Sequence, residues 1–193
     1  MTKHSNKSSL LYNYIITDEN NKIIKKSRVK KAESYVANFI NTLCACFAED
    51  WYRWSAVPMI TTTGILYTKW NKGMSIDGAL GDLTQGIMVG SGTTAVDIED
   101  YKLETLIAHG TGAGQLQYSA VSFGAPTQTA SVIKFIVTRT LTNGTGSDVT
   151  IREIGLYGVN DNSFLLIRDI LTSPETIANN EKITFNYTIQ TSL

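Results

Sequence analysis

The sequence predicts a mostly β protein: an antiparallel β-sandwich or barrel-like domain with an N-terminal hairpin and one amphipathic α-helix. Three observations carry that reading. In Lys182 to Thr191, Ile183, Phe185, Tyr187 and Ile189 take one face while Lys182, Thr184, Asn186, Thr188 and Gln190 take the other. This period of two marks a half-buried antiparallel strand. Ser131 to Thr142, Asp148 to Gly158 and Phe164 to Leu171 read as further strands parted by turns rich in Gly and Asn, a sandwich or barrel pattern. Only one segment, about Lys31 to Asp50, carries convincing helical spacing: Tyr35, Phe39, Leu43, Phe47 and Trp51 recur four apart, with Val36 and Ile40 beside them.

In chain order, residues 1–9 are polar and expected to fray. Leu10 to Thr17 reads as a strand and Asp18-Glu19-Asn20-Asn21 as a turn, because Asp and Asn bond their own backbone and tolerate left-handed geometry. Lys22 to Lys26 returns, completing a hairpin. One helix cannot bury its own apolar face, so the Tyr35/Phe39/Leu43/Phe47 stripe is expected against a sheet or a neighbouring chain. Met59 to Thr68, rich in Thr and branched residues, reads as a strand. Residues 71–85 read as a loop, Ile87 to Val89 as a short strand, and Gln115 to Phe123 as another. Residues 90–114 form a long irregular stretch with Gly at both ends, expected at a subunit contact rather than in the chain's own core. The expected organisation is a hairpin plus helix over 1–54, packed on the main domain or a neighbouring subunit, and a sandwich domain over 55–193.

Composition narrows the function classes. The 193 residues are 42% hydrophobic, enough for a core without staples. Lys+Arg and Asp+Glu both number 17, which argues against a basic nucleic-acid coat and suits a molecule meant to assemble. Cys44 and Cys46 do not have redox spacing and complete no zinc set, so they read as reduced thiols. No secretory signal and no apolar run of membrane-spanning length is expected.

Candidate chemistry is sparse. His4 lies in the polar start, and His109 precedes a Gly-rich loop with no nucleophile elbow nearby. The stretch Gly110 to Gly114 lacks the Lys-Ser/Thr of a phosphate loop and reads as a turn. Asp97, Glu99 and Asp100 lack EF-hand spacing and read as a solvated acidic loop. Lys22 to Lys31 holds six basic residues in ten; a solvated hairpin edge, where Lys discourages aggregation, is preferred to a nucleic-acid contact. Trp51, Tyr52, Trp54 and Trp70 belong either in the core or at an interface. No catalytic residue, cofactor, metal or small-molecule substrate is expected.

The C-terminal half resembles a recurrent type of small virion protein from tailed bacteriophages. The resemblance rests on VGSGTTAVDIEDYKLETLI (Val89 to Ile107), FIVTRTLTNGTGSDVTIREIGLYG (Phe135 to Gly158) and LLIRDILTSPETIANNEKITFNYTI (Leu165 to Ile189). The hairpin and the helix segment SYVANFINTLCACF are also similar, and the likeness is weakest over 52–86. It implies a non-enzymatic β-sandwich in the particle, made in the bacterial cytoplasm. Its station would be the tail, tail tip or neck, with copies of itself and other virion proteins as partners. A head decoration or head-fibre base protein, and a carbohydrate-binding adhesin, are the alternatives. Tyr101, with Asp97, Glu99, Asp100 and the Trp-rich residues, is a candidate interface.

Strand register yields one sharper expectation. If the turn after Asn143 makes a hairpin, Arg139 faces Glu153; if the next turn spans Gly158 to Ser163, Glu153 faces Arg168. Arg139, Glu153 and Arg168 would then form a buried charge cluster holding a three-stranded meander in register.

Overall fold

The computed structural model describes residues 7–32, 35–47, 58–67 and 73–192. Along the chain lie β1 (Lys7–Thr17), β2 (Ile23–Lys26), β3 (Lys30–Lys31), α1 (Ala37–Phe47), β4 (Met59–Ile60) and β5 (Leu66–Tyr67). Then follow β6 (Gly86–Gly90), β7 (Gln117–Tyr118), β8 (Ser122–Phe123) and β9 (Thr127–Thr129). The chain ends with β10 (Val132–Thr142), β11 (Val149–Asn160), β12 (Asn162–Ile177) and β13 (Lys182–Ser192). A large antiparallel sheet runs β2-β1-β13-β10-β7, with β3 on β1 and β8 and β9 on β10. A smaller antiparallel sheet runs β12-β11-β6, and β4 and β5 form a separate hairpin.

The two main sheets pack face to face, and alternation decides which side chains meet. Leu10, Tyr12, Tyr14 and Ile16 of β1, Val137 and Leu141 of β10, and Ile183, Phe185 and Tyr187 of β13 are all buried. Tyr12 lies opposite Tyr187 and Tyr14 opposite Phe185, with ring centroids 6.3 and 5.6 Å apart in edge and tilted contacts. Such cross-strand aromatic pairs add to simple burial. The N-terminal strand is thus built into the sandwich, between β2 and β13. The expected turn forms: the Asp18 carboxylate accepts the Asn20 and Lys22 N–H groups, both at 2.9 Å, and Asn21 adopts φ 63°.

The expected β10–β11 hairpin does not form. β10 pairs with β13 along its length, Arg139 facing Phe185, while β11 belongs to the other sheet. The cause is the buried Asn143. Its side-chain amide donates to Ser147 O and Ile177 O, both at 2.7 Å, and its own N–H and C=O bond Glu181 and Asn180. Residues 143–148 and 178–181 are pinned together there as they cross between the sheets. The β11–β12 turn also shifts by one residue, Asp161 taking φ 57° and Asn160 pairing with Asn162, and a bulge between Leu156 and Tyr157 shifts the register by one more. Glu153 therefore lies opposite Ile170, and Arg168 opposite Gly155.

Other departures have local causes. The helix starts at Ala37 because the Val36 N–H is taken by Leu166 O and Tyr35 bridges Ile167 on β12. Tyr35 and Phe39 pack against the core, whereas Leu43, expected on the same buried stripe, is 40% exposed; the Phe47 side chain and Trp51 lie outside what is described. Asn38, off the stripe, is buried because its amide bonds Ile60 N and O at 3.0 and 2.8 Å. The strand expected over Met59 to Thr68 folds into the β4–β5 hairpin, Thr61 bonding Ile65. That expected over Gln115 to Phe123 breaks between β7 and β8, where Ser119 O turns to Arg139 and Val121 N to Gly78 O.

Candidate functional site

Arg139 projects from β10 into the space between the sheets and is fully buried. Nε donates to Ser119 O at 2.8 Å, Nη1 to Gln85 O and Ile87 O at 3.3 and 3.1 Å, and Nη2 to Ala79 O and Asp82 O at 3.1 and 2.7 Å. A guanidinium carries five N–H donors, so each finds a backbone carbonyl. The cation also lies 4.9 Å from the Tyr118 ring centroid. One arginine thereby organises the irregular segment before β6 and ties it to both sheets. Burial lowers its pKa from the ordinary value, partly opposed by Tyr118 and Asp82.

Glu153 stands on the opposite face of the small sheet, so the expected contact with Arg139 is absent. Residues 91–106 cover that face. Glu153 Oε1 accepts Gly92 N and Thr105 N at 3.1 and 2.9 Å; Oε2 accepts Glu104 N at 3.1 Å and Arg168 Nε at 2.9 Å. Arg168 reaches Glu153 diagonally and continues to Asp100 at 2.8 Å and Thr94 O at 3.1 Å. Glu104, more exposed, accepts Thr93 N and Thr94 N at 2.6 and 2.7 Å. The arrangement is a clasp: two buried charges hold the long loop by its backbone. Burial opposes the charge of Arg168, but Asp100 and Glu153 raise its pKa above the ordinary value.

Part of the long loop, expected outside the chain's own core, therefore packs on its own chain, while most of its residues stay exposed. Leu103 and Ile107 are buried, Ser91 N donates to Thr105 O, Ile107 N to Val89 O, and Leu103 N to the Tyr157 hydroxyl. Close approach demands Gly90 and Gly92. A Cβ at Gly90 would come within 2.5 Å of Thr105 O, and one at Gly92 within 2.5 Å of Glu153 Oε1. Gly90→Ala is expected to destabilise by about 1–3 kcal/mol, measured as a lower urea midpoint at unchanged m-value.

Asp82 makes the Arg139 side of the fold sensitive to acid. Burial pushes its carboxyl pKa up, but the Thr84 hydroxyl and N–H at 2.6 and 2.7 Å, Gln85 and the Arg139 charge bring it below the ordinary value. A folded pKa below the unfolded one gives stability that is present above the unfolded pKa and is lost as pH falls through the folded pKa. Urea midpoints should therefore fall between neutral pH and the acid side of the carboxylate range, with a shallower fall in Asp82→Asn.

The other sequence candidates are scattered. Asp97 and Glu99 are exposed, Asp100 and Tyr101 half-buried, and only Asp100 joins the clasp. Trp51, Tyr52, Trp54, Trp70 and His4 lie outside the described residues. His109 Nδ1 accepts Tyr118 N at 3.1 Å. In the basic run, Lys25 pairs with the buried Glu175 at 2.6 Å, and Glu175 also accepts the Tyr14 hydroxyl. Sequence reasoning missed this contact and the loop's hold on Arg168; the DYKLE string containing Asp100 and Glu104 was its only trace. Among the described residues, no group of three or more His, Cys, Asp or Glu could hold a metal ion. No described helix is long and apolar enough to cross a membrane.

No known protein family, curated protein or solved structure matches the chain.

Proposed function

We propose that this chain is a non-enzymatic structural component of a tailed-phage virion, a tail, tail-tip or neck adaptor that acts by subunit assembly. The observation that carries this reading is where the two clamps lie. Asp100, Glu104, Arg139, Glu153 and Arg168 all fall inside the three strings on which the resemblance rests. Their polar atoms are engaged with the chain's own backbone and with one another. On this reading, what the resembling strings encode in this chain is a frame: two sheets, their crossing, and the loop clasped outside the smaller sheet. A carboxylate that accepts three backbone N–H groups and a guanidinium is poorly suited to proton transfer. It is well suited to fixing a loop.

The test is fractionation of phage particles from a bacterium that expresses this chain. Banding with purified particles at a fixed ratio to the other virion proteins is expected on this reading. Recovery only in the soluble lysate, free of particles, would overturn it.

A further inference from the structure

Residues 22–31 form one margin of the large sheet, where three features meet. The first is an open backbone edge. β2 is the outermost strand and bonds β1 alone, so no described strand pairs with its far side. The second is charge. Lys25 is held by the buried Glu175, but Lys22, Lys26, Arg28, Lys30 and Lys31 make no salt bridge among the described residues. The third is apolar: Ile23, Ile24 and Val29 are 58%, 53% and 64% exposed. Lysines alone suffice to keep a free edge from pairing with its like. Bare aliphatic side chains set among them work against that protection and favour contact.

We infer that this margin docks an extended acidic segment of another protein, which adds to β2 as a further strand. The inference rests on the proposed assembly role and gives one partner its chemistry. Each class of anionic partner uses a different share of the three features. Nucleic acid takes up the cations through its phosphates, but residues 22–31 hold no aromatic side chain on which a base could stack. An anionic membrane surface takes up cations and aliphatic side chains and supplies no strand hydrogen bonds. A strand alternating acidic and apolar side chains uses all three: its main chain meets the edge, its carboxylates the free cations, and its apolar side chains Ile23 and Ile24. The same edge of a second copy is excluded by like charge. The exposed acids Asp97 and Glu99 of a second copy offer no strand, because they sit in a turn in which Asp97 accepts the Glu99 and Asp100 N–H groups.

Calorimetric titration of the full chain with a synthetic peptide alternating Glu and Val tests this, with hydrogen exchange as the local readout. Saturable binding that weakens with salt is expected, together with slower exchange of amides within residues 23–31. The same peptide with its central Val replaced by Pro keeps its charge but loses a strand donor, and should bind at least about ten-fold more weakly. Lys26→Glu/Arg28→Glu should weaken binding by a similar factor. Ile24→Lys should weaken it too, although it adds positive charge. All three positions are exposed, so the variants should melt as the parent does. No binding of the peptide, or equal binding of its Pro form, would overturn the inference. So would binding of duplex DNA or phosphatidylglycerol vesicles as tight as that of the peptide. The two proposals fail separately: a chain that bands with particles but ignores the peptide removes only the docked strand, and one that binds the peptide but is absent from particles removes only the virion role.

Discussion

Arg139→Met is expected to be the most damaging single substitution in the sandwich, lowering the unfolding free energy by about 5 kcal/mol or more. The estimate follows from leaving five carbonyls without their donor, at about 1–3 kcal/mol for each that stays buried. Water entering from the Asp82 side can recover some of that. The loss still compares with the whole stability of an ordinary domain, about 5–15 kcal/mol. Arg139→Lys should recover only part of it, because an ammonium offers three donors from one point and cannot reach carbonyls spread from Ala79 to Ser119. Urea unfolding followed by far-ultraviolet circular dichroism measures both. An Arg139→Met variant within about 1 kcal/mol of the parent would place it among ordinary substitutions and show that those carbonyls do not depend on the guanidinium.

Glu153→Ala should cost about 3–5 kcal/mol, since it strands three loop N–H groups and removes the most deeply buried of the carboxylates paired with Arg168, leaving Asp100 and the more distant Glu104. The informative companion is Glu153→Gln. Both carboxylate oxygens accept hydrogen bonds, Oε1 from Gly92 and Thr105 and Oε2 from Glu104 and Arg168. An amide NH₂ in either place faces two donors, so Gln should rescue little. Hydrogen exchange gives the local readout: the Gly92, Glu104 and Thr105 amides should lose protection in both variants while the β13 amides keep theirs. Equal protection in parent and variant would mean that apolar packing of Leu103 and Ile107 alone holds the loop.

Local signals in the sequence were reliable where one face meets the core and the other meets solvent. The alternation of β13 placed Ile183, Phe185 and Tyr187 correctly on the buried face. The Asp18–Asn21 turn formed with the side-chain bonds its residues favour. Sheet membership was not legible, because parity tells which face a residue takes and nothing about which sheet the strand joins. Arg139 and Glu153 are both buried, as their positions suggested, yet they look into different layers. The decision fell to Asn143, whose side chain bridges two crossings far apart in sequence. Residues 143–148 looked like hairpin chemistry for the same reason they serve a crossing: Asn and Gly permit tight local geometry. The loop after β6 misled differently. Leu103 and Ile107 are isolated apolar residues without period, and only the three-dimensional cover over Tyr157 and Gly155 gives them a place to bury.

On the proposed function, this sandwich is a building block of a phage particle, with its buried charges serving shape. A reconstruction of the intact particle tests it most directly. Sandwich density is expected at symmetry-related positions of the tail, tail tip or neck, with residues 91–106 folded on the small sheet. A complete reconstruction in which every density is assigned to other chains would contradict it.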